Sequence, residues 1–378
     1  MKIKRAYKYR FYPTTEQEKI IIRTFGCTRF VYNHFLRIHT DAWFNTQENI
    51  SFNQTGKLLT KMKKQPEYEW LKEVSSVPLQ QSLNHLQRAF LNFFAKRAKY
   101  PIFKSKHGKQ SASYVTTAFK WDGERLKLAK MAEPLDIRWS RILPKLAKVT
   151  SINISKDPAN RYFVSLICDD IAETKSKNTN KIGIDLGLNH FAILSTGEKI
   201  TAPNIFRKKE AKLAKLQRRW AKKQKGSKNC SKAKLKVARL LSKVADSRKD
   251  FLHKLSTRLI NENQVIAVES LSVCSMRRNH HLAKSISDAG WGEFIRQLEY
   301  KANWYGRTLI GIDRWYPSSK RCSNCGHTIP NLPLNIREWS CPECGSKHDR
   351  DINAARNILA AGLAVSACGE AISPMSLN

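Results

Sequence analysis

The sequence predicts an α+β protein of several domains, and three observations lead to this fold class. Aromatic and basic residues alternate over residues 3–11, as in a strand with one buried side, and a block of helical periodicity follows. Runs of β-forming residues return between residues 115 and 170, which indicates that the helices are inserted into a small β-barrel. A polar stretch, residues 173–180, then separates this half from a second half that mixes strands and helices.

The helical block is expected to begin after Pro13. Thr15 and Glu18 have the spacing of a capping box, and apolar residues recur at helical spacing as far as Phe35. A second helix is predicted over residues 77–94, where leucine and phenylalanine repeat at steps of three and four. A proline ends that helix, and a basic loop leads into the strands.

The remaining elements follow from β-rich runs and turn residues. A hairpin is predicted from residues 149–155 and 162–168, which flank the turn Asp157-Pro-Ala-Asn160. The second half is expected to open with an antiparallel meander: residues 181–188, 190–195 and 199–201. Later elements are two basic helices within 206–250, strands at 264–269 and 308–312, and helices at 292–305 and 351–363.

Positive charge dominates the composition. The chain has 68 Lys and Arg against 31 Asp and Glu, a net charge of +37, which predicts a polyanionic partner, with nucleic acid the default. A membrane surface is the competing polyanion, but no window approaches 18 apolar residues. Residues 206–250 alone hold 18 Lys and Arg against three acids. These helices are either a solvated surface pair or, as we expect, a phosphate-binding one.

Four of the nine cysteines form one cluster with the spacing of a zinc ribbon: Cys322, Cys325, Cys341 and Cys344. The basic N-terminus lacks the apolar run of a signal peptide, so we expect a cytoplasmic protein with reduced thiols. Gly326 and Gly345 follow the second cysteine of each pair and suit the positive φ of a metal-binding knuckle. One structural Zn²⁺ is therefore predicted, with iron, or four unrelated buried cysteines, as alternatives.

Three carboxylates stand where a metal nuclease needs them. Asp185 lies inside a predicted strand, Glu269 at the end of another, and Asp351 at the start of the last helix. A buried carboxylate needs a cation or a donor, and two divalent ions about 4 Å apart could activate water against a phosphodiester. Oxygen ligands favour Mg²⁺ or Mn²⁺. Taken singly, the three acids could equally be a turn residue, an exposed strand end and a helix N-cap.

The order and amino-acid sequences of several segments resemble the RuvC-like, RNase H-fold nuclease core of the TnpB family and of type V CRISPR effectors. The segments are Gly183-Ile-Asp-Leu-Gly187, Val268-Glu-Ser-Leu271, Ser287–Phe294, Pro317–Lys320 before the first cysteine pair, and His348–Asn357. The similarity extends to Arg29–Phe35 and Tyr100–Lys104, so it covers nearly the whole chain. As in that family, the zinc ribbon lies between the second and third acids.

The resemblance implies an RNA-guided DNA endonuclease encoded by a transposon. A transposon-derived guide RNA would pair with target DNA, and one site would cut both strands beside a short transposon-adjacent motif. Asp185, Glu269 and Asp351 would be the catalytic acids, with Asp349 ranked below Asp351 because of its place in the motif. We expect a monomeric ribonucleoprotein, associated with the nucleoid of a prokaryotic cell.

The same resemblance implies a domain layout. Residues 1–12 and 101–172 would form the wedge-like β-barrel, 13–100 the inserted helical recognition domain, 173–316 and 349–363 the RuvC-like domain, 317–348 the zinc ribbon, and 364–378 a disordered tail. Residues in the first two regions at positions that read the motif in the family are Gln80, Tyr114, Thr116 and Thr117, although Gln80 has the plainer interpretation of a solvated helix residue. Basic residues expected to contact nucleic acid are Lys104, Arg218, Arg219 and Lys222.

Two rival functions stay open at this stage. A DNA-strand-transfer transposase also uses acidic triads on RNase H folds, although the ribbon between the acids argues against it. A catalytically inactive RNA-guided DNA-binding regulator would keep the fold, although the presence of all three acids counts against that reading.

Overall fold

The computed structural model describes residues 2–144, 147–172 and 174–367, which form two compact units, Lys2–Ile171 and the chain from Ala172 onward. The last helix continues to Ala367, so residues 364–367 are helical and do not belong to the predicted tail. The rest of that tail, residues 368–378, lies outside the described residues. No helix in the described part has the length and apolar content that a membrane span requires.

The first unit contains a strand, three helices and then a series of strands. In chain order these are β1 (Lys2–Tyr12), α1 (Thr15–Thr46), α2 (Phe52–Met62), α3 (Ser76–Phe94), β2 (Gln110–Val115), β3 (Phe119–Trp121), β4 (Leu126–Leu128), β5 (Asp136–Arg138), β6 (Lys148–Lys156) and β7 (Tyr162–Ile171). Two short 3-10 helices, Pro66–Glu73 and Thr116–Ala118, lie between them.

A five-stranded antiparallel sheet with the order β2-β6-β7-β1-β5 organises this unit. The predicted hairpin is confirmed as β6 and β7. Helices α1 to α3 lie in the chain between β1 and β2, two strands of this one sheet. No pairing between described residues joins β2 to β5, so closure of the sheet into a barrel stays a prediction.

The capping box of α1 lies one residue earlier than the sequence suggested. Thr14 accepts a hydrogen bond from the backbone N–H of Gln17, whose side chain accepts one from the Thr14 N–H. The Thr15–Glu18 assignment is therefore wrong. Glu18 is used elsewhere: its carboxylate accepts a 2.7 Å hydrogen bond from the Tyr162 hydroxyl, which lowers the pKa of Glu18.

The second unit alternates strands and helices around a second sheet. Its elements are β8 (Lys181–Asp185), β9 (His190–Leu194), β10 (Lys199–Thr201), α4 (Arg207–Ala221), α5 (Lys228–Glu262), β11 (Val265–Glu269), α6 (Val273–Met276), α7 (Ala283–Ala289), α8 (Trp291–Tyr305), β12 (Thr308–Ile312), β13 (Glu338–Ser340), β14 (Lys347–Asp349) and α9 (Arg350–Ala367).

The sheet of the second unit has the strand order β10-β9-β8-β11-β12. Strands β8, β9 and β10 form the predicted antiparallel meander, whereas β8, β11 and β12 run parallel. Helix α9 packs on β8, β11 and β12. The carboxyl ends of β8 and β11 and the N-terminus of α9 carry the three predicted acids.

Candidate active site

Two of the predicted acids end neighbouring parallel strands. Asp185 is the last residue of β8, and Glu269 is the last residue of β11. The strands pair with Ile184 opposite Val268, so the next residue of each strand is one of the acids. Because strand side chains alternate between faces, both carboxylates project from the same face of the sheet.

Helix α9 lies on that face at backbone contact distance. A Cβ atom on Gly183 would stand 2.1 Å from the carbonyl oxygen of Ala355. A Cβ atom on Gly362 would stand 2.7 Å from the Cβ of Ala267. Gly183 and Ala267 each precede one of the acids by two residues, so the helix covers the face from which the acids project. Glycine at positions 183 and 362 lets the helix and the sheet approach this closely.

Asp351 comes to the same place because it lies one helical turn before Ala355. Burial, together with the negative charges of Glu269 and Asp351, raises the pKa of Asp185 to about 7. Burial also raises the pKa of Glu269 to about 7. The structure therefore brings all three acids close enough for the charges of Glu269 and Asp351 to act on Asp185, and a bound cation would favour the ionised forms of Asp185 and Glu269.

Asp349 has a different role from Asp351. Its Oδ1 atom accepts hydrogen bonds of 3.0 Å from the backbone N–H groups of Asp351 and Ile352, so Asp349 caps α9. Its other oxygen pairs with the Lys199 ammonium at 2.6 Å. Burial acts to raise the pKa of Asp349, but the Lys199 hydrogen bond and the cap lower it overall. The cap assigned to Asp351 as an alternative thus belongs to Asp349, which leaves Asp351 available for the site.

Two arginines at this site were not predicted. The Nη1 atom of Arg337 lies 3.4 Å from the Oδ1 atom of Asp351, and Arg350 is buried, where it donates to the carbonyl oxygen of Pro333 at 2.7 Å. The positive charges of both oppose the rise in the pKa of Asp185. Arg350 lies inside a segment that carries the family resemblance, but no spacing marks Arg337, because it reaches the acids only through the folded chain.

The four predicted cysteines converge on one point, with their sulfur atoms all within 4.8 Å of one another. Each pair is set by the same local hydrogen bonds: the N–H groups of Gly326 and Gly345 donate to the carbonyl oxygens of Cys322 and Cys341 at 2.9 Å. The two glycines have φ values of 82° and 68°, which confirms the conformation expected of them. Four sulfur donors at this separation fit a tetrahedral zinc ion and leave no open position for catalysis.

The segment that holds the cysteines is fastened to α9. The Asn353 side chain donates to the Arg321 carbonyl oxygen at 2.7 Å and accepts from the Ser323 N–H at 2.9 Å. Asn357 donates to the same Arg321 carbonyl oxygen at 2.6 Å. On the other side, β14 runs directly into α9. Asp351 thus lies on the helix that these hydrogen bonds join to the cysteine segment.

The predicted motif-reading residues are divided by burial. Gln80, Thr116 and Thr117 are exposed. Tyr114, in contrast, is only 2% exposed within the core of the first unit, and burial raises its pKa to about 12. The assignment of Tyr114 to nucleic-acid contact is corrected for this reason, because its ring and hydroxyl are enclosed by protein.

The basic residues predicted to contact nucleic acid also differ in how accessible their charged groups are. Lys104 is exposed as a residue, but its ammonium lies 3.8 Å from the centre of the Tyr32 ring, and partial burial lowers its pKa to about 8. Arg218, Arg219 and Lys222 are exposed at the end of α4. A cavity of about 460 Å³ between α4 and α5 is lined by five basic residues: Arg219, Lys222, Lys223, Lys232 and Lys236. Such a concentration of cations fits phosphate groups.

Three family descriptions match parts of the chain. "Probable transposase" (OrfB_IS605) matches residues 155–280, "Cas12f1-like, TNB domain" matches residues 291–358, and "Helix-turn-helix domain" matches residues 1–48. Over the last of these stretches the structure has one strand and the single long helix α1.

Several proteins resemble nearly the whole chain. A Streptomyces pristinaespiralis protein, provisionally named an RNA-guided DNA endonuclease, is 55% identical over 373 residues, covering 98% of this chain and 92% of the relative. InsQ of Escherichia coli K12, with the same provisional name, is 35% identical over 390 residues, covering 98% and 96%. A solved complex of Cas12f1 with sgRNA and target DNA aligns with a TM-score of 0.58 at 13% identity, over 94% of this chain and 98% of that one. At this identity, the likeness to Cas12f1 concerns the fold alone.

Proposed function

The chain belongs to the TnpB family, and from this membership we propose that it is an RNA-guided DNA endonuclease with one nuclease site, formed by Asp185, Glu269 and Asp351. The observation that carries the proposal is the convergence of these acids on one face of one sheet. The sheet order, an antiparallel meander followed by parallel strands, supports an RNase H-like, RuvC-type domain.

The donor set fits Mg²⁺ or Mn²⁺, because three carboxylates supply hard oxygen ligands. Two such ions, when bound, would activate a water molecule and stabilise the leaving oxygen of a phosphodiester. Asp185, whose pKa responds to the charges of both other acids, would hold such ions together with Glu269 and Asp351. Asp349 and Lys199 would hold the start of α9, and hence Asp351, in place. Arg337 would present a positive charge where the scissile phosphate approaches.

The partners follow from charge and from the family. We propose that base pairing with a guide RNA selects the target DNA, while the protein reads a short adjacent motif through exposed groups such as Gln80, Thr116 and Thr117. The basic cavity between α4 and α5, with Arg218 beside it, would bind phosphates of these nucleic acids. The four cysteines would hold one structural Zn²⁺.

A strand-transfer reaction is the second candidate, since one matching family description reads "Probable transposase". The two relatives described above, which each cover 98% of the chain, carry endonuclease names, and this favours hydrolysis. The products separate the two reactions: hydrolysis leaves free ends, whereas strand transfer joins a transposon end to target DNA.

The test is cleavage by the full chain, supplied with its copurifying RNA, Mg²⁺ and double-stranded DNA that matches the guide. Asp185→Asn, Glu269→Gln and Asp351→Asn should each abolish cutting of both strands and keep RNA binding. Glu262→Gln, which changes an exposed acid at the end of α5, serves as the matched control and should cut normally. Normal cutting by all three site variants, or joined products in place of free ends, would overturn the proposal.

A further inference from the structure

A cavity of about 550 Å³ opens between the C-terminal parts of α1 and α3 in the first unit. Its walls are mainly aromatic: His39, Trp43, Phe44, Phe90, Phe94 and Tyr100. We call these six residues the aromatic pocket. None of them has a part in the nuclease site or in the reading of a motif proposed above.

Three rings of the aromatic pocket are more than half exposed to solvent. Phe44 is 78% exposed, Phe94 is 65% exposed and Trp43 is 52% exposed. About two turns earlier on α1, Phe35 and Leu36 are buried in the core that the three helices share. Packing among these helices therefore accounts for the earlier residues and not for the exposed rings. An exposed apolar patch of this kind marks an interaction site.

Contacts within the protein hold the pocket in shape. The ring centres of His39 and Phe90 are 5.1 Å apart, and those of Phe93 and Tyr100 are 5.2 Å apart. The hydroxyl groups of Tyr100 and Thr40 form a 2.8 Å hydrogen bond. A pocket that is formed before its occupant arrives loses less entropy on binding.

Basic residues next to the pocket in the chain and polar groups in its lining suit a nucleic acid. Exposed basic residues follow α3 directly, between Phe94 and Tyr100: Lys96, Arg97 and Lys99. The amides of Asn49 and Gln87 and the carboxylate of Glu48 also line the cavity. Such amide and carboxylate groups can pair with the edges of bases, aromatic rings stack on base faces, and adjacent cations bind the flanking phosphates.

We propose that the aromatic pocket holds an unpaired base of the RNA that this protein carries, with the neighbouring phosphates at Lys96, Arg97 and Lys99. We infer RNA and not DNA as the ligand because exposed apolar surface is unfavourable in water. RNA can bury this surface before the protein meets any target DNA. The inference rests on the proposed function only in that this function supplies the RNA. It requires no cleavage.

The first test is ultraviolet crosslinking of the ribonucleoprotein as purified, with no DNA added, followed by mass spectrometry. A nucleotide adduct is expected on a peptide that contains Trp43 and Phe44 or on one that contains Phe94 and Tyr100, and target DNA should not be needed for it. RNA that crosslinks to other peptides and not to these overturns the inference alone. A purified protein that carries no RNA contradicts the proposed function itself.

The second test separates base stacking from phosphate binding. RNA-free protein is titrated with oligouridine and with a strand of equal length in which abasic ribose spacers replace the uridines. Wild-type protein should prefer oligouridine by about 5- to 150-fold, the effect of one stacked base. Phe44→Ala/Phe94→Ala should lose this preference and keep its affinity for the abasic strand. Phe44→Leu/Phe94→Leu, which keeps apolar bulk but has no ring, should lose it as well.

Two controls complete the design. Ile22→Ala changes a residue of α1 that is also exposed, at 48%, and should leave the preference intact. The triple change Lys96→Gln/Arg97→Gln/Lys99→Gln should weaken binding of both strands alike and reduce the salt dependence. An unchanged preference in the alanine variant overturns the proposal. So does a concentration-dependent dimer that the alanine variant abolishes, because the pocket would then bind a second copy of the chain.

Discussion

The cysteine cluster and the carboxylate cluster adjoin the same helix, α9, but they are assembled in different ways. Each cysteine pair is shaped by hydrogen bonds within a few residues, and the four sulfur atoms form a complete donor set. The acids come from β8, β11 and α9, and the pKa of Asp185 is raised by burial and by the negative charges of Glu269 and Asp351. A closed set of ligands suits a structural ion, whereas an unsatisfied set leaves room for ions that must also bind a substrate phosphate.

The largest expected effect comes from the carboxylate cluster. Asp185→Asn should lower the rate of DNA cleavage by more than about 100-fold, since the loss of even an outer-shell partner of a metal costs 10- to 100-fold. The measurement is the single-turnover rate with saturating RNA and Mg²⁺. RNA affinity and zinc content should not change, because the cysteine cluster is intact. If Asp185→Asn keeps more than a tenth of the wild-type cleavage rate, the assignment of Asp185 to the nuclease site is wrong.

A smaller loss of activity should follow from damage to the cysteine cluster. Cys341→Ser should reduce zinc from about one ion per chain to none and lower cleavage by about 10- to 100-fold, because the segment fastened to α9 loosens. Elemental analysis and the same cleavage assay measure the two effects. Cys274→Ser, which changes an exposed cysteine outside the cluster, is the control. Full activity without zinc would show that the two clusters are independent.

The contrast also explains what could be predicted from sequence. The cysteine cluster is local, so the spacing of Cys322 to Cys344 indicates the site without any knowledge of the fold. The proximity of the acids depends on strand register and on the contact of α9 with Gly183, which no spacing reveals, so their assignment as catalytic residues rests on family resemblance and stays a prediction. Tyr114 was assigned to nucleic-acid contact wrongly, because a matching place in the family does not say which face of a strand the protein core covers.

The dependence of stability on pH should distinguish the clusters further. The folded pKa values of Asp185 and Glu269, about 7, lie above the unfolded values of about 3.9 and 4.3. The folded state then binds more protons than the unfolded state, so metal-free protein should lose stability as pH rises from about 4 to 7. We expect the free energy of unfolding to fall by roughly 1–2 kcal/mol over this range. This is less than the two full pKa shifts would give, because both residues are partly exposed to water.

Thermal melting of EDTA-treated protein across that pH range measures the effect. Asp185→Asn should flatten the profile, and Mg²⁺ should restore stability at the upper end, where the acids are ionised. Glu262→Gln should reproduce the wild-type profile. A profile that rises between pH 5 and 7 in the absence of Mg²⁺, with no change in Asp185→Asn, would contradict the electrostatic account of the site.

The smallest expected effect concerns the cap between the two clusters. Asp349→Ala should lower the free energy of unfolding by about 1 kcal/mol through loss of the α9 cap, and it should keep more cleavage activity than Asp351→Ala. Denaturant titration and the cleavage assay provide the comparison. Lys199→Ala, which removes the ion-pair partner of Asp349 and keeps the cap, should lower the free energy of unfolding by less than Asp349→Ala does. Equal loss of activity in Asp349→Ala and Asp351→Ala would mean that both acids hold the ions.

The close approach of α9 to β8 has a consequence for how this chain can diverge. Every residue that can replace Gly183 carries a Cβ atom, and that atom would stand 2.1 Å from the backbone of the helix that bears Asp351. No neighbouring side chain can be trimmed to make room, because the obstacle is a carbonyl oxygen. In a saturation library selected for cleavage, this codon should therefore tolerate only synonymous change, although its residue touches neither metal nor substrate.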